Sequence, residues 1–200
     1  MSSSSGEMGT GRLEAFSDGV IAVIVTIMVL ELHAPAQPTL SALQKIAPAF
    51  LSYGLSFLLV SIMWVNHHQM IHTAKAVTAN LLWSNLNLLF WMSLVPFVTD
   101  YLGKNHREPL AVAFYGLDLA LCSLAYLVLR LEMIRQERGN PEARAYHRRI
   151  RNKNAFALVL YLASTPLAYV SVYYSYAIFV LIPAMYFLPE SGITKEEEHA

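Results

Sequence analysis

Three histidines and two isolated aspartates are the residues of this sequence whose types and spacing suit chemistry. His67, His68 and His72 lie close together, and the i, i+4 spacing of His68 and His72 places two imidazoles on one face of a helix. Asp18 and Asp118 each lie inside a long apolar run. This pattern is compatible with metal binding, proton transfer or a hydrogen-bond network, because histidine titrates near neutral pH and an acid in an apolar segment needs a partner.

Hydrogen bonding is favoured over metal binding for the histidines. No glutamate follows the first histidine as in the metalloprotease helix motif, and Cys122, the one cysteine, fits a small packing residue in an apolar run. We therefore expect no metal and no cofactor. Arg12 and Asp18 should lie at the same depth in the membrane as the histidines, and we expect hydrogen bonds between these groups. A role of the histidines in pH sensing stays open. No nucleophile has a matching base, so the sequence does not predict an enzyme.

The composition is typical of an integral membrane protein. Of the 200 residues, 56% are hydrophobic and 14% are charged, and the mean hydropathy is +0.42. A soluble domain is about one-quarter charged. The net charge is zero, so no long-range field attracts nucleic acid, and we expect the lipid bilayer as the partner instead.

Six segments are apolar enough to cross a bilayer as helices, which takes roughly 17–25 residues each. The predicted all-α, six-helix bundle consists of segments 16–32, 49–65, 81–99, 110–131, 155–170 and 172–188. Almost no loop separates the last two, so a tight hairpin and a kinked pair both fit. We divide the chain into a disordered N-terminal tail, 1–11, a transmembrane domain, 12–189, and a charged C-terminal tail, 190–200.

The basic residues predict the orientation of these six crossings. With both termini cytoplasmic, 11 of the 14 lysines and arginines lie on the cytoplasmic side, as the positive-inside rule requires. The basic stretch 147–153 then fits a topology determinant beside anionic lipid rather than a nucleic-acid patch.

The first predicted helix has two distinct faces. At about 100° per residue, one stripe contains Val23, Thr26, Ile27 and Leu30 and continues toward the cytoplasm at Gly19. Ser17 and Asp18 lie more than about 100° from Val23 around the helix. On residue types alone the stripe fits ordinary helix packing, and Asp18 fits both an acid favoured by the helix macrodipole and an acid with a partner on a neighbouring helix.

The start of this helix resembles a known family. Arg12-Leu13-Glu14-Ala15-Phe16-Ser17-Asp18, running into Gly19-Val20-Ile21-Ala22-Val23, is similar to the signature of the transmembrane protein 175 family of potassium channels, which is an arginine, three residues and then Phe-Ser-Asp. Other similar residues are Trp64 with His67 and His68, Asn85-Leu86, and Pro96-Phe97. The resemblance covers the first three helices, and the last three are similar in length, hydrophobicity and spacing.

The resemblance implies a prokaryotic homotetramer in the plasma membrane, permeable to potassium, with the first helices around the pore. It places Val23, Ile27 and Leu30 in an apolar constriction with Thr26 as a hydroxyl layer. The residues that it implies to lie behind the pore and lock the first helix are Arg12, Phe16, Ser17, Asp18, Trp64, His67, His68 and Asn85. Val23 is smaller than the leucine or isoleucine typical of the family, which implies an innermost ring that is wider or more easily hydrated.

An apolar ring of this kind stops ions by dewetting. The sequence contains no Thr-Val-Gly-Tyr-Gly filter, so we expect modest potassium selectivity from pore width and the Thr26 hydroxyls. Glu31 and Asp100 are candidates for concentrating cations at the outer end, and both are equally typical of plain surface acids. The alternative function is a proton-coupled transporter that uses Asp118 and the histidines, while a hydrogen-bonded, packed Asp118 is the other interpretation of that acid.

Overall fold

The computed structural model describes residues 9–136 and 141–187, with the side chains of 9–136 and 148–186. The predicted C-terminal tail 190–200, and residues 1–8 of the predicted N-terminal tail, lie outside the described residues. Within the described ranges all regular secondary structure is helical, which confirms the predicted all-α class. The helices are α1 Thr10–Leu30, α2 Leu40–Lys45, α3 Ala47–His72, α4 Ala79–Lys104, α5 Pro109–Gln136, α6 Pro141–Val170 and α7 Val172–Phe187.

Four of the described helices, α1, α3, α4 and α5, are long and apolar enough to cross a membrane. The other two predicted segments correspond to α6, which begins well before its apolar part, and to α7, which is apolar but has only 16 residues. The short helix α2 was not predicted. It begins after Thr39, whose hydroxyl accepts a hydrogen bond from the Ala42 amide, and such a cap is a common helix start signal.

Several helix boundaries follow from local chemistry. The Thr78 hydroxyl accepts a hydrogen bond from the Leu81 amide and caps α4, and Pro48 occupies the first turn of α3, where a missing amide hydrogen costs nothing. Helix α1 begins at Thr10, so the last two residues of the predicted N-terminal tail are helical. Capping residues and a first-turn proline therefore set helix starts that lie outside the predicted apolar segments.

Helices α6 and α7 form a tight antiparallel hairpin, which decides between the two arrangements left open by the sequence. Ser171 alone separates them. The Ser175 hydroxyl donates to the Ser164 carbonyl over 2.7 Å, and the Tyr186 hydroxyl donates to Asn154 Oδ1 over 2.8 Å. These two contacts join residues that run in opposite directions along the chain, so the helices lie side by side.

Helix α5 is the centre of the bundle and α1 lies at its edge. Helix α5 packs against α4, α6 and α7, whereas α1 packs against α3 and α4. Glycines allow two close approaches: an added Cβ at Gly103 would lie 2.8 Å from Ala49 Cα, and one at Gly116 would lie 2.3 Å from Ser164 Oγ. The edge position leaves one side of α1 uncovered.

Candidate functional site

The buried and exposed faces of α1 divide as its helical geometry predicts. Its buried residues are Leu13, Ser17, Ile21, Ile24 and Met28. The stripe lies entirely on the other face: Val23, Ile27 and Leu30 are 54%, 40% and 74% exposed, and Thr26 is exposed as well. A single chain therefore leaves a continuous apolar stripe on a helix whose opposite face is fully packed.

An open groove lies beside this stripe, between α1 and α4, with a volume of about 780 Å³. Its lining from α1 includes Phe16, Gly19 and Val23, and its lining from α4 includes Pro96 and Phe97. Nothing lies within 4 Å of a Cβ added at Gly19, so the packing of the single chain does not require glycine there.

The groove is acidic at the C-terminal end of α1. Glu31 and Asp100, the two candidates for concentrating cations, both line it. Asp100 also accepts a 2.6 Å hydrogen bond from Lys104 one turn later, so part of its charge is neutralised locally.

The hydroxyl of Thr26 donates back to its own helix. Its Oγ1 lies 3.0 Å from the Ala22 carbonyl oxygen and 2.9 Å from that of Val23. Because the hydroxyl hydrogen is directed to the backbone, the remaining lone pairs of Oγ1 are free to accept. Thr26 thus presents an oxygen, and not a hydrogen, on the exposed face.

A buried hydrogen-bond chain joins α1 to α4 and α3. The Asn85 amide nitrogen donates to Ser17 Oγ over 2.9 Å, and Ser17 Oγ donates in turn to the Leu13 carbonyl over 2.9 Å. On the other side of the amide, Asn85 Oδ1 accepts from His67 Nε2 over 2.7 Å, which places the histidine hydrogen on Nε2. Ser17, Asn85 and His67 are fully buried, so the chain fixes α1 against two neighbours.

A second polar cluster lies at the same end of α1, at the edge of the bundle. Trp64 Nε1 donates to Asp18 Oδ1 over 2.9 Å, and His68 Nδ1 lies 3.6 Å from the other carboxylate oxygen of Asp18. His68 Nδ1 is also 3.0 Å from Glu14 Oε1, and His72 Nδ1 is 4.0 Å from Glu14 Oε2. Asp18 therefore has partners on α3.

The structure thus brings six of the eight predicted locking residues into contact and leaves two outside. Arg12 and Phe16 lie on the exposed face of α1, and Phe16 is 53% exposed. Among the described residues, Arg12 makes no side-chain hydrogen bond. Both lie on the side of α1 that carries the stripe, and Phe16 lines the groove between α1 and α4, so a locking role for these two stays a prediction.

Comparison with known proteins identifies the family. The family model described as "Endosomal/lysosomal potassium channel TMEM175" matches residues 12–96. A protein named as a potassium channel in Chryseobacterium sp. strain P1-3 is 39% identical over 189 residues, which cover 94% of this chain and 97% of that protein. The chain belongs to the TMEM175 family. The predicted resemblance is confirmed, and so is the prediction that the protein is not an enzyme, since TMEM175 proteins are ion channels.

The TMEM175 fold extends beyond the matched segment. The solved structure of a lysosomal potassium-selective channel TMEM175 homolog from Chamaesiphon minutus has a TM-score of 0.70 and 27% identity, and the match covers 88% of this chain and 95% of that one. The human protein named endosomal/lysosomal proton channel TMEM175 is 35% identical over 92 residues, which cover 40% of this chain and 18% of the human one.

The TMEM175 match contains both polar clusters of α1 but not Asp118. That aspartate lies in α5, is 5% exposed, and its Oδ2 has no hydrogen-bond partner among the described residues. One turn earlier, the Tyr115 hydroxyl lies 2.9 Å from Ser56 Oγ, which accepts from Thr99 Oγ1 over 2.7 Å. Sequence reasoning missed this hydroxyl network, for which the only signal was isolated polar residues in apolar helices.

Proposed function

We propose that this chain forms a potassium-permeable cation channel as a homotetramer in a prokaryotic plasma membrane. In this proposal each chain crosses the bilayer six times, through α1 and α3–α7, with both termini in the cytoplasm. The bacterial relative named as a potassium channel supports the permeant ion. The distribution of lysines and arginines supports the orientation.

The observation that carries the proposal is the exposed stripe of α1. Surface residues that merely face lipid need no particular pattern, but this stripe combines three exposed apolar side chains at helical spacing with one hydroxyl oxygen, at Thr26, on the same face. The opposite face is fixed by its own chain through Ser17. One face of α1 is packed against its own chain and the opposite face is exposed. Such a helix is suited to lining a symmetry axis together with the same helix of other subunits.

In the assembled channel Val23, Ile27 and Leu30 form successive apolar rings that stop ions by dewetting. Between them, the Thr26 oxygens offer a cation four acceptors, because each hydroxyl hydrogen is directed to the backbone. A single layer of such oxygens replaces little of the hydration shell of an ion, so discrimination between potassium and sodium is modest.

The two polar clusters position the stripe. The buried chain through Ser17 and Asn85 fixes the rotation of α1, and the Trp64–Asp18 contact fixes its cytoplasmic end. Arg12 and Phe16, which lie on the exposed face, contact neighbouring subunits in this proposal. The groove beside Gly19 receives the neighbouring α1.

Single-channel recording of the purified protein in planar bilayers tests the function. Opposed potassium and sodium gradients should give unitary currents with a reversal potential that favours potassium. Saturable, proton-dependent flux without unitary currents would contradict the channel and favour the transporter alternative.

Cysteine accessibility tests the pore lining separately. Cys122 is fully buried, so an introduced cysteine is the reactive one. We expect a water-soluble thiol reagent to reduce the current of Ile27→Cys, on the stripe, and not that of Val29→Cys, which is exposed but about 160° away around the helix. Equal effects at both positions would contradict the assignment.

The buried carboxyl group of Asp118 is the observation that favours the second candidate, a proton-coupled transporter. The channel proposal predicts unitary potassium currents in Asp118→Asn, because this residue lies on α5, away from α1. Loss of all potassium current together with loss of proton uptake would support the transporter.

A further inference from the structure

Two pairs of carboxylate and imidazole side chains, both of which are common metal ligands, face each other where α1 meets α3. Glu14 and Asp18 have i, i+4 spacing on α1, and His68 and His72 have the same spacing on α3. The ligand atoms of Glu14, Asp18 and His68 all lie within 4.8 Å of one another. His72 Nδ1 lies 4.0 Å from the second oxygen of Glu14.

We propose that these four side chains, the Glu14–His72 cluster, bind one divalent transition-metal ion such as Zn²⁺ in each chain. Zinc bonds to imidazole nitrogen and carboxylate oxygen are about 2.0–2.2 Å long, so ligand atoms around a tetrahedral ion lie roughly 3.3–3.6 Å apart. The separations from His68 Nδ1 to Glu14 Oε1 and Asp18 Oδ2 are 3.0 and 3.6 Å. Both separations are close to those expected between ligands of one tetrahedral ion.

The surroundings orient these ligands. Trp64 Nε1 donates a hydrogen bond to Asp18 Oδ1, and the other carboxylate oxygen, Oδ2, faces His68. Outer-shell donors orient metal ligands in this way. The rings of His68 and His72 are stacked with an interplanar angle of 13°, and the Nδ1 atoms of both are directed to Glu14. Preorganised ligands of this kind lose little conformational freedom on binding.

The donor set selects the class of metal. Imidazole nitrogen with carboxylate oxygen suits Zn²⁺ and its neighbours in the first transition row, whereas Mg²⁺ prefers oxygen alone and retains water. The side chains of His68 and His72 are 46% and 78% exposed, so an ion enters from water. The buried chain through His67 is separate, since that ring is bonded to Asn85.

Calorimetric titration of the purified, tag-free full chain in detergent tests the proposal. We expect Zn²⁺ to bind with a stoichiometry of one per chain at this cluster and Mg²⁺ not to compete. Titration with Co²⁺ should give the intense visible absorption of a tetrahedral nitrogen–oxygen site. These readouts need no ion current, so they succeed or fail independently of the proposed channel function.

Variants assign the binding to the cluster. His68→Asn removes the ligand nearest both carboxylates and Glu14→Gln changes one oxygen to an amide, and each should weaken Zn²⁺ binding at least tenfold. His33→Asn, at an exposed histidine after the end of α1, is the matched control and should bind as the unmodified chain does. Unchanged Zn²⁺ affinity in both cluster variants would overturn the proposal and leave only ion pairs between His68 and the two acids.

Discussion

The side-chain amide of Asn85 donates a 2.9 Å hydrogen bond to the hydroxyl of Ser17, and both groups are fully buried between α4 and α1. Asn85→Ala removes this bond and leaves Ser17 and His67 without their shared partner. Side-chain hydrogen bonds between membrane helices contribute about 0.6–1.7 kcal/mol each, and two are lost here. We expect a lower melting temperature in detergent. Asn87→Ala, at an exposed position on the same helix, is the control that should melt as the unmodified protein does.

Polar substitutions on the stripe should increase the leak current. Val23→Ser or Leu30→Ser places hydroxyls in a proposed apolar ring and makes a water-filled constriction less costly. The control is Val29→Ser, because Val29 is similarly exposed but lies off the stripe. Unchanged conductance in the first two variants, measured in reconstituted bilayers, would remove those side chains from the constriction.

A large side chain at Gly19 should prevent assembly without unfolding the chain. The space around an added Cβ is open within one chain, and the groove beside Gly19 is the proposed seat of a neighbouring α1. Gly19→Leu should therefore shift the protein from tetramer to smaller species in size-exclusion chromatography with light scattering. Its helical content should stay the same. A Gly19→Leu protein that still elutes as a tetramer would place the subunit contact elsewhere.

Gly116→Ala should destabilise the contact between α5 and α6. The new Cβ would lie 2.3 Å from Ser164 Oγ and 3.3 Å from the Phe179 ring, so the helices have to separate slightly. Overpacking of this kind costs about 1–3 kcal/mol, which thermal unfolding should detect. Adding Ser164→Ala should restore part of the loss, and Gly54→Ala, where nothing lies within 4 Å, should show no decrease.

Zinc should reduce the current if both the metal site and the channel are as proposed. An ion that joins α1 to α3 opposes any rotation of α1 that opens the pore. Zn²⁺ on the side of the Glu14–His72 cluster should lower the open probability of the unmodified protein and have at least tenfold less potency on His68→Asn. Equal inhibition of both proteins would indicate block at a different site, such as the pore.

Hydropathy alone predicts the long helices because a bilayer imposes length and apolarity on each crossing. It does not predict α2, which has six residues, or the polar first turns of α6, because helices continue beyond the bilayer wherever local propensity allows. The facing of α1 also follows from its sequence, since Ser17 is buried and Val23 exposed as a period of 3.6 residues requires.

The sequence predicted histidine contacts at the level of Asp18, where His68 does lie, but not which atoms pair with which. That Ser17 meets Asn85, or Glu14 meets His68, depends on the packing of helices that are distant along the chain. Glu14 lies within the family signature, and its spacing from Asp18 matches that of His68 from His72. The expectation of no metal rested on the missing metalloprotease glutamate and the lack of cysteine ligands, and it did not consider acids of another helix as ligands.

The separation of the two faces of α1 has a consequence for mixed populations of chains. The bonds that hold its packed face, from Ser17 and Asp18, all lie within one chain. Chains that differ only at Leu30 therefore fold in the same way. Each can assemble with the other as readily as with its own copies. Expressed together from two genes, they would distribute by chance among the proposed tetramers, and a membrane would carry a graded series of conductances instead of two.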